Sequence, residues 1–66
     1  MTKEQVIAAL ALLRRQKGVK QKELAEYVGV ATPTLISWEY CKTYPTLAQL
    51  EKICEYLGQT FKIETT

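Results

Sequence analysis

The stretch from Gln21 to Glu39 constrains the fold of this chain most strongly, because two short helical patterns meet in it at a glycine. The apolar residues before that glycine lie three and four residues apart, on one helical face: Leu24, Ala25 and Val28. Gly29 can take a positive φ at little cost, so the first helix can end there and the chain can turn sharply. The stretch therefore predicts helices over residues 21–28 and 32–39 with a tight corner between them.

The second of these helices has an apolar inner side and a small, mostly polar outer side. Pro33 suits its first turn, where a missing N–H costs nothing. We expect the hydroxyl of Thr32 to cap that turn. Leu35 and Trp38, three residues apart, would pack inward.

Two longer helical patterns flank this stretch. Each begins with a capping box, at residues 2–5 and 46–49, and each ends near a glycine. The apolar stripes that we expect to be buried are Val6, Ile7, Leu10 and Leu13 in the first, and Leu47, Leu50, Ile53, Cys54 and Leu57 in the last. The chain thus reads as one domain over residues 1–66, with helices at about 3–17, 21–28, 32–39 and 47–57.

The tail after Gly58 follows a different pattern. Residues 60–64 alternate with a period of two and are rich in strand formers, which predicts a short β-strand. A lone strand cannot satisfy its own backbone, so we expect it to pair with the same strand of a second copy. Phe61, Lys62 and Ile63 would then form a homodimer interface. The alternative is a frayed tail that lays Phe61 and Ile63 on the core.

Length and charge add two further constraints. A chain of 66 residues builds a marginal core unless two chains share it, which also favours a dimer. The net charge of +2 is too small to indicate a nucleic-acid partner by itself. However, five basic residues lie within residues 14–22, a stretch that contains no acidic residue. This run predicts one basic face. Its basic residues are Arg14, Arg15, Lys17, Lys20 and Lys22.

Several classes of site are not indicated. The sequence has no histidine, no Gly-rich phosphate loop and no carboxylate cluster beside a nucleophile, so we expect neither an enzyme nor a cofactor. Cys41 and Cys54 are too widely spaced for a usual zinc site, so we expect no metal. Without a signal peptide or a long apolar segment, we expect a cytoplasmic chain with free thiols and no membrane contact.

The whole pattern resembles the Cro and phage-repressor family of helix-turn-helix domains, also called XRE-like, from about Ile7 to Leu57. The matching residues are Arg14, Gln21, Leu24-Ala25, Gly29-Val30, Leu35, Trp38-Glu39, and Pro45 before an apolar last helix. The resemblance implies a mainly α, compact four-helix Cro/repressor-like domain, to which the tail adds a short C-terminal β-strand. The chain departs from the family where Ala31 replaces a common Ser and Cys41 a common Gly.

The resemblance also implies a function. It points to a sequence-specific regulator of transcription, most simply a dimeric repressor that binds a palindromic operator in double-stranded DNA through the major groove. The family's base-reading positions fall on Thr32, Pro33 and Ser37. Contacts to DNA phosphates would come from Lys20, Gln21, Lys22, Thr34, Lys42 and Tyr44. Arg14 would reach Glu39 in a structural ion pair that joins the first helix to the third.

Two other functions fit the same residues. One is the DNA-binding antitoxin of a toxin-antitoxin pair, because single-domain members with a C-terminal strand are found among similar proteins. Its partner would be a toxin protein. The other is a protein-interaction module on the same scaffold, because the outer face of the helix at 32–39 lacks Arg, Asn and Gln, which make paired hydrogen bonds to bases. The run of basic residues from Arg14 to Lys22 argues against the protein-interaction module.

Overall fold

The structure, a computed structural model, describes residues 2–59 and contains four α-helices within them. The helices are α1 (Lys3–Gln16), α2 (Gln21–Val28), α3 (Thr32–Glu39) and α4 (Leu47–Leu57). The fold is therefore mainly α, with a helix-turn-helix at its centre, as the sequence predicts. The predicted β-strand at residues 60–64, with its interface residues Phe61, Lys62 and Ile63, lies outside the described residues.

The two outer helices, α1 and α4, begin in the same way. The hydroxyls of Thr2 and Thr46 each accept a hydrogen bond from the backbone N–H three residues later. The side chains of Gln5 and Gln49 accept the N–H of those threonines in return, at 2.9 and 2.8 Å. Both capping boxes predicted from the sequence are thus confirmed, and they close helix starts that would otherwise leave amides unpaired.

The two helices of the central motif begin without a side-chain cap. Lys20 holds the cap position of α2 and Ala31 that of α3, and neither side chain accepts a hydrogen bond from its helix. The prediction that Thr32 caps α3 is wrong. Ala31 has the extended backbone of a cap residue (φ −70°, ψ 148°), so Thr32 already lies inside the helix. The first amides of α2 and α3 are consequently left without side-chain partners.

Gly29 makes the corner between α2 and α3. It has a φ of 90° and ends α2, as the sequence predicts. The N–H groups of Gly29 and Val30 both bond to the carbonyl of Ala25, at 2.9 and 3.0 Å. This closure turns the chain back at once and packs the side chain of Val30 against the core.

The hydrophobic core lies between all four helices. Its buried members are Val6, Leu10, Leu24, Ala25, Val28, Leu35, Trp38, Ile53, Cys54 and Leu57. Leu13 and Leu50 are only partly buried. The prediction that Leu47 faces the core is wrong, since its side chain is 49% exposed. Helical side chains tilt toward the N-terminus, so the side chain of the first residue of α4 points past the start of the helix.

The two cysteines are free and occupy different environments. Cys54 belongs to the core, and its burial raises the pKa of the thiol. Cys41 is partly exposed in the loop after α3 and has a φ of 58°. It is the single non-glycine residue among residues 2–59 with a positive φ. This conformation gives a physical reason why the resembled family commonly has glycine at that position.

We expect Cys41→Gly to raise the free energy of unfolding by about 0.5–1 kcal/mol. A non-glycine residue in the left-handed region costs roughly 1–2 kcal/mol, and the greater freedom of glycine in the unfolded chain offsets part of the gain. Urea denaturation measures the change. Cys41→Ala is the matched control, because it removes the thiol and keeps the strained backbone. Equal stability of the two variants would show that residue 41 stores no strain.

Candidate functional site

A buried ion pair joins α1 to the end of α3. Nε of Arg14 donates to Oε2 of Glu39 at 2.6 Å, and Nη2 donates to Oε1 at 3.1 Å. The remaining nitrogen, Nη1, donates to the carbonyl of Val19 at 2.8 Å. The side chains of Arg14 and Glu39 are only 10% and 8% exposed. The structure thus brings together the two charges that the resemblance pairs, in a bidentate geometry that fixes both groups.

Gln21 is a third member of this group. Its Nε2 donates to Oε1 of Glu39 at 3.0 Å, so one carboxylate receives hydrogen bonds from α1 and from the first residue of α2. We call Arg14, Gln21, Glu39 and the Val19 carbonyl the Glu39 node. The contact of Gln21 with Glu39 could not be predicted from the sequence, because no local spacing links residues that lie on different helices.

The start of α2 is a suitable place for an anion. Its cap residue, Lys20, and its second residue, Lys22, are both exposed, and no side chain caps the helix. The unpaired amides and the helix dipole at such a start favour negative charge. Lys20, Gln21 and Lys22, which the sequence predicts as phosphate contacts, therefore lie together at this end of α2.

The basic run is smaller than its sequence suggests. Arg14 is buried and paired with Glu39, so it does not contribute to the basic surface. The other four basic residues of the run are exposed on the surface: Arg15, Lys17, Lys20 and Lys22. Within residues 2–59 none of these four is in an ion pair. They remain available for an anionic partner.

The predicted base-reading residues lie on α3. Pro33 is exposed, whereas Thr32 and Ser37 are partly buried. The hydroxyl of Ser37 accepts a hydrogen bond from the hydroxyl of Thr43 at 2.9 Å, and its carbonyl accepts the N–H of Lys42 at 3.0 Å. Ser37 thus also holds the loop after α3, a role that no sequence pattern indicates. Its own hydroxyl hydrogen remains available to a ligand.

The other predicted phosphate contacts have mixed surroundings. Thr34 is partly buried on α3, and Lys42 is exposed in the loop. Tyr44 is already engaged, because its hydroxyl donates to Oε1 of Glu4 at 3.3 Å and Nζ of Lys3 lies 4.1 Å from its ring centroid. Partial burial and the Glu4 carboxylate both raise the pKa of Tyr44. The structure therefore turns this phenol toward the first turn of α1.

A second polar surface lies on the other side of α2, where it meets α4. The rings of Tyr27 and Tyr56 pack with centroids 4.7 Å apart, and the hydroxyl of Tyr56 donates to Glu23. Partial burial and the nearby Glu55 carboxylate raise the pKa of Tyr27. The structure places Tyr27 over the α2–α4 junction.

Among residues 2–59, no three His, Cys, Asp or Glu side chains come together as a possible metal site. None of the four helices combines the length and the apolar character that crossing a membrane requires.

Comparison with known proteins identifies a helix-turn-helix family. A family model described as helix-turn-helix matches residues 10–62, a range that includes α2, α3 and the whole Glu39 node. No curated protein matches the sequence.

We expect Glu39→Ala to lower the free energy of unfolding by about 3 kcal/mol, because it leaves the guanidinium of Arg14 buried without its partner. The double variant with Arg14→Ala should cost clearly less than the sum of the two single changes. Urea denaturation followed by fluorescence of Trp38, the single tryptophan, measures all three. Glu51→Ala, on the exposed face of α4, is the control. Additive costs would show that Arg14 and Glu39 are not coupled.

Proposed function

Because this chain belongs to the Cro/C1-type helix-turn-helix family, we propose that it is a sequence-specific repressor that binds a palindromic operator as a dimer. Such a regulator works in the cytoplasm and catalyses no reaction. The family match supports DNA binding directly. The uncapped start of α2 and the exposed lysines beside it support contacts to phosphates. The repressor role and the dimer are proposed from the family and from the sequence pattern of the tail.

The observation that carries the proposal is the difference between the four helix starts. The outer helices α1 and α4 are closed by capping boxes, whereas the motif helices α2 and α3 have no side-chain cap. The free amides at the start of α2 can bind anions such as the phosphates of the DNA backbone. The start of α3 contributes less, because Pro33 has no N–H and the N–H of Thr34 bonds to the Ala31 carbonyl. Lys20 and Lys22 add positive charge at the start of α2.

Base reading would come from the outer face of α3. Thr32, Pro33 and Ser37 offer hydroxyl, methyl and ring contacts, but none of them can make the paired hydrogen bonds that Arg, Asn and Gln make to purines. Thymine methyl groups suit the apolar parts of Thr32 and Pro33. The remaining specificity would come from the shape and deformability of the DNA.

Dimerisation would place two copies of α3 in successive major grooves, roughly 34 Å apart. We propose that the tail supplies the contact, through Phe61, Lys62 and Ile63. The support comes from the sequence pattern of the tail and from the small size of the core that one chain can build.

Sequence-specific DNA binding is tested by selecting bound duplexes from a random DNA library and then measuring gel shifts with the enriched sequences. We expect one enriched sequence, palindromic, with half-site centres roughly 10–10.5 base pairs apart. Failure to enrich any sequence, with no shift of duplex DNA even at low salt, would contradict DNA binding. That outcome would favour the protein-interaction module, whose support is the lack of Arg, Asn and Gln on the outer face of α3. No observation within residues 2–59 specifically favours a toxin partner.

We expect Lys22→Gln to weaken binding to every duplex alike, because contacts to phosphates carry no sequence information. The slope of log affinity against log salt should become shallower by about 1. Gel shifts at several salt concentrations measure both effects. Lys52→Gln, on the exposed side of α4, is the matched control and should change neither. A loss confined to one operator sequence would move Lys22 to the base-reading group.

We expect deletion of residues 60–66 to convert the dimer into a monomer and to remove most of the operator affinity. Helix content should stay nearly unchanged, because all four helices lie before residue 60. Sedimentation velocity and circular dichroism measure the two properties. The control is the double substitution Thr65→Ser and Thr66→Ser in the full-length chain, which leaves the predicted strand intact. A truncated chain that still sediments as a dimer would place the interface on the helices.

A further inference from the structure

Glu39 makes more contacts than a simple ion pair needs. Its Oε2 accepts Nε of Arg14, while its Oε1 accepts both Nη2 of Arg14 and Nε2 of Gln21, at 3.1 and 3.0 Å. Arg14 is itself held by the Val19 carbonyl. All three nitrogens of the guanidinium thus donate a hydrogen bond, and the side chains of Arg14 and Glu39 are at least nine-tenths buried. These contacts fix the orientation of the Glu39 carboxylate.

This orientation determines how Gln21 is presented. A carboxylate only accepts hydrogen bonds, so the NH₂ end of the Gln21 amide must face Glu39. One of the two amide hydrogens is used there. The other hydrogen and the amide oxygen have no partner within residues 2–59, and the side chain is only partly buried. Gln21 is also the first residue of α2, the helix whose start has no cap.

Charge compensation allows an anion to approach this place. A lone carboxylate beside the start of α2 would repel a phosphate, but the bidentate contact with Arg14 neutralises Glu39. The Gln21 amide then lies between a neutralised ion pair on one side and the open helix start on the other.

We propose that Glu39 is a positioning residue for DNA binding. It fixes the Gln21 side chain, so that the second amide hydrogen and the free backbone amides of α2 can bind the same phosphate. This inference rests on the proposed function. A glutamine side chain that is ordered before binding loses less conformational freedom when DNA arrives, which corresponds to roughly two- to tenfold in affinity.

The test needs a chain that folds without the ion pair. Replacing a buried ion pair by apolar residues of similar volume is often neutral or stabilising, so Arg14→Met with Glu39→Met supplies the background. Gln21→Ala is then made in the native chain and in this background. Gel shifts measure each affinity for the selected operator. Gln16→Ala, an exposed glutamine at the end of α1, is the matched control.

In the native chain we expect Gln21→Ala to weaken operator binding severalfold. In the Met/Met background the affinity should already be reduced, and Gln21→Ala should change it less than twofold further. A purely structural ion pair predicts the same loss from Gln21→Ala in both backgrounds, and that result would overturn the proposal while leaving the proposed function intact. If no duplex binds to the native chain, the proposed function and this inference fail together.

A second measurement keeps the proposal testable if the Met/Met chain does not fold. Nitrogen-15 relaxation of the side-chain NH₂ group of Gln21 in the native, DNA-free protein reports its order directly. We expect the Gln21 group to be as rigid as the backbone before DNA is added, and the NH₂ group of Gln16 to be mobile. A Gln21 group that is mobile until DNA binds would overturn the positioning role, whatever the affinities are.

Discussion

The placement of α3 relative to α1 and α2 depends on one buried carboxylate. Glu39, at the last residue of α3, is held by Arg14 of α1 and contacts Gln21 at the first residue of α2. The motif helices have eight residues each, too few to be stable alone, so their geometry must come from contacts with the rest of the chain. The core beneath them sets their distance. The Glu39 node fixes where α2 starts relative to where α3 ends.

The four helix starts are of two kinds. The scaffold helices α1 and α4 carry threonine-glutamine capping boxes, which satisfy their first amides internally. The motif helices α2 and α3 start at Lys20 and Ala31, whose side chains cap neither helix. At α2 the first amides are therefore open, whereas at α3 Pro33 has no N–H and the N–H of Thr34 bonds to the Ala31 carbonyl. Burying Arg14 removes one positive charge from the surface but also neutralises Glu39, so the start of α2 stays favourable for a phosphate. The buried pair of Arg14 and Glu39 thus affects the charge at the exposed start of α2.

Local features of the fold could be predicted from the sequence, because helical periodicity, glycine corners and capping boxes depend on neighbouring residues. Contacts between helices could not. The bonds from Gln21 to Glu39 and from Thr43 to Ser37 join residues that no spacing rule links, and the pairing of Arg14 with Glu39 came only from the family resemblance. Two errors have local causes. Ala31 took the cap position expected for Thr32, and Leu47 points past the start of its helix.

Nuclear magnetic resonance tests the central claim most directly, with the nitrogen-15-labelled chain titrated by a duplex that carries the selected operator. We predict that the largest shifts of backbone amides occur at the start of α2 and on the outer face of α3, from Thr32 to Ser37. The Gln21 side-chain amide should shift with them. Shifts concentrated instead around Tyr27 and Tyr56, at the α2–α4 junction, would contradict this prediction, because the carboxylates of Glu23 and Glu55 lie there.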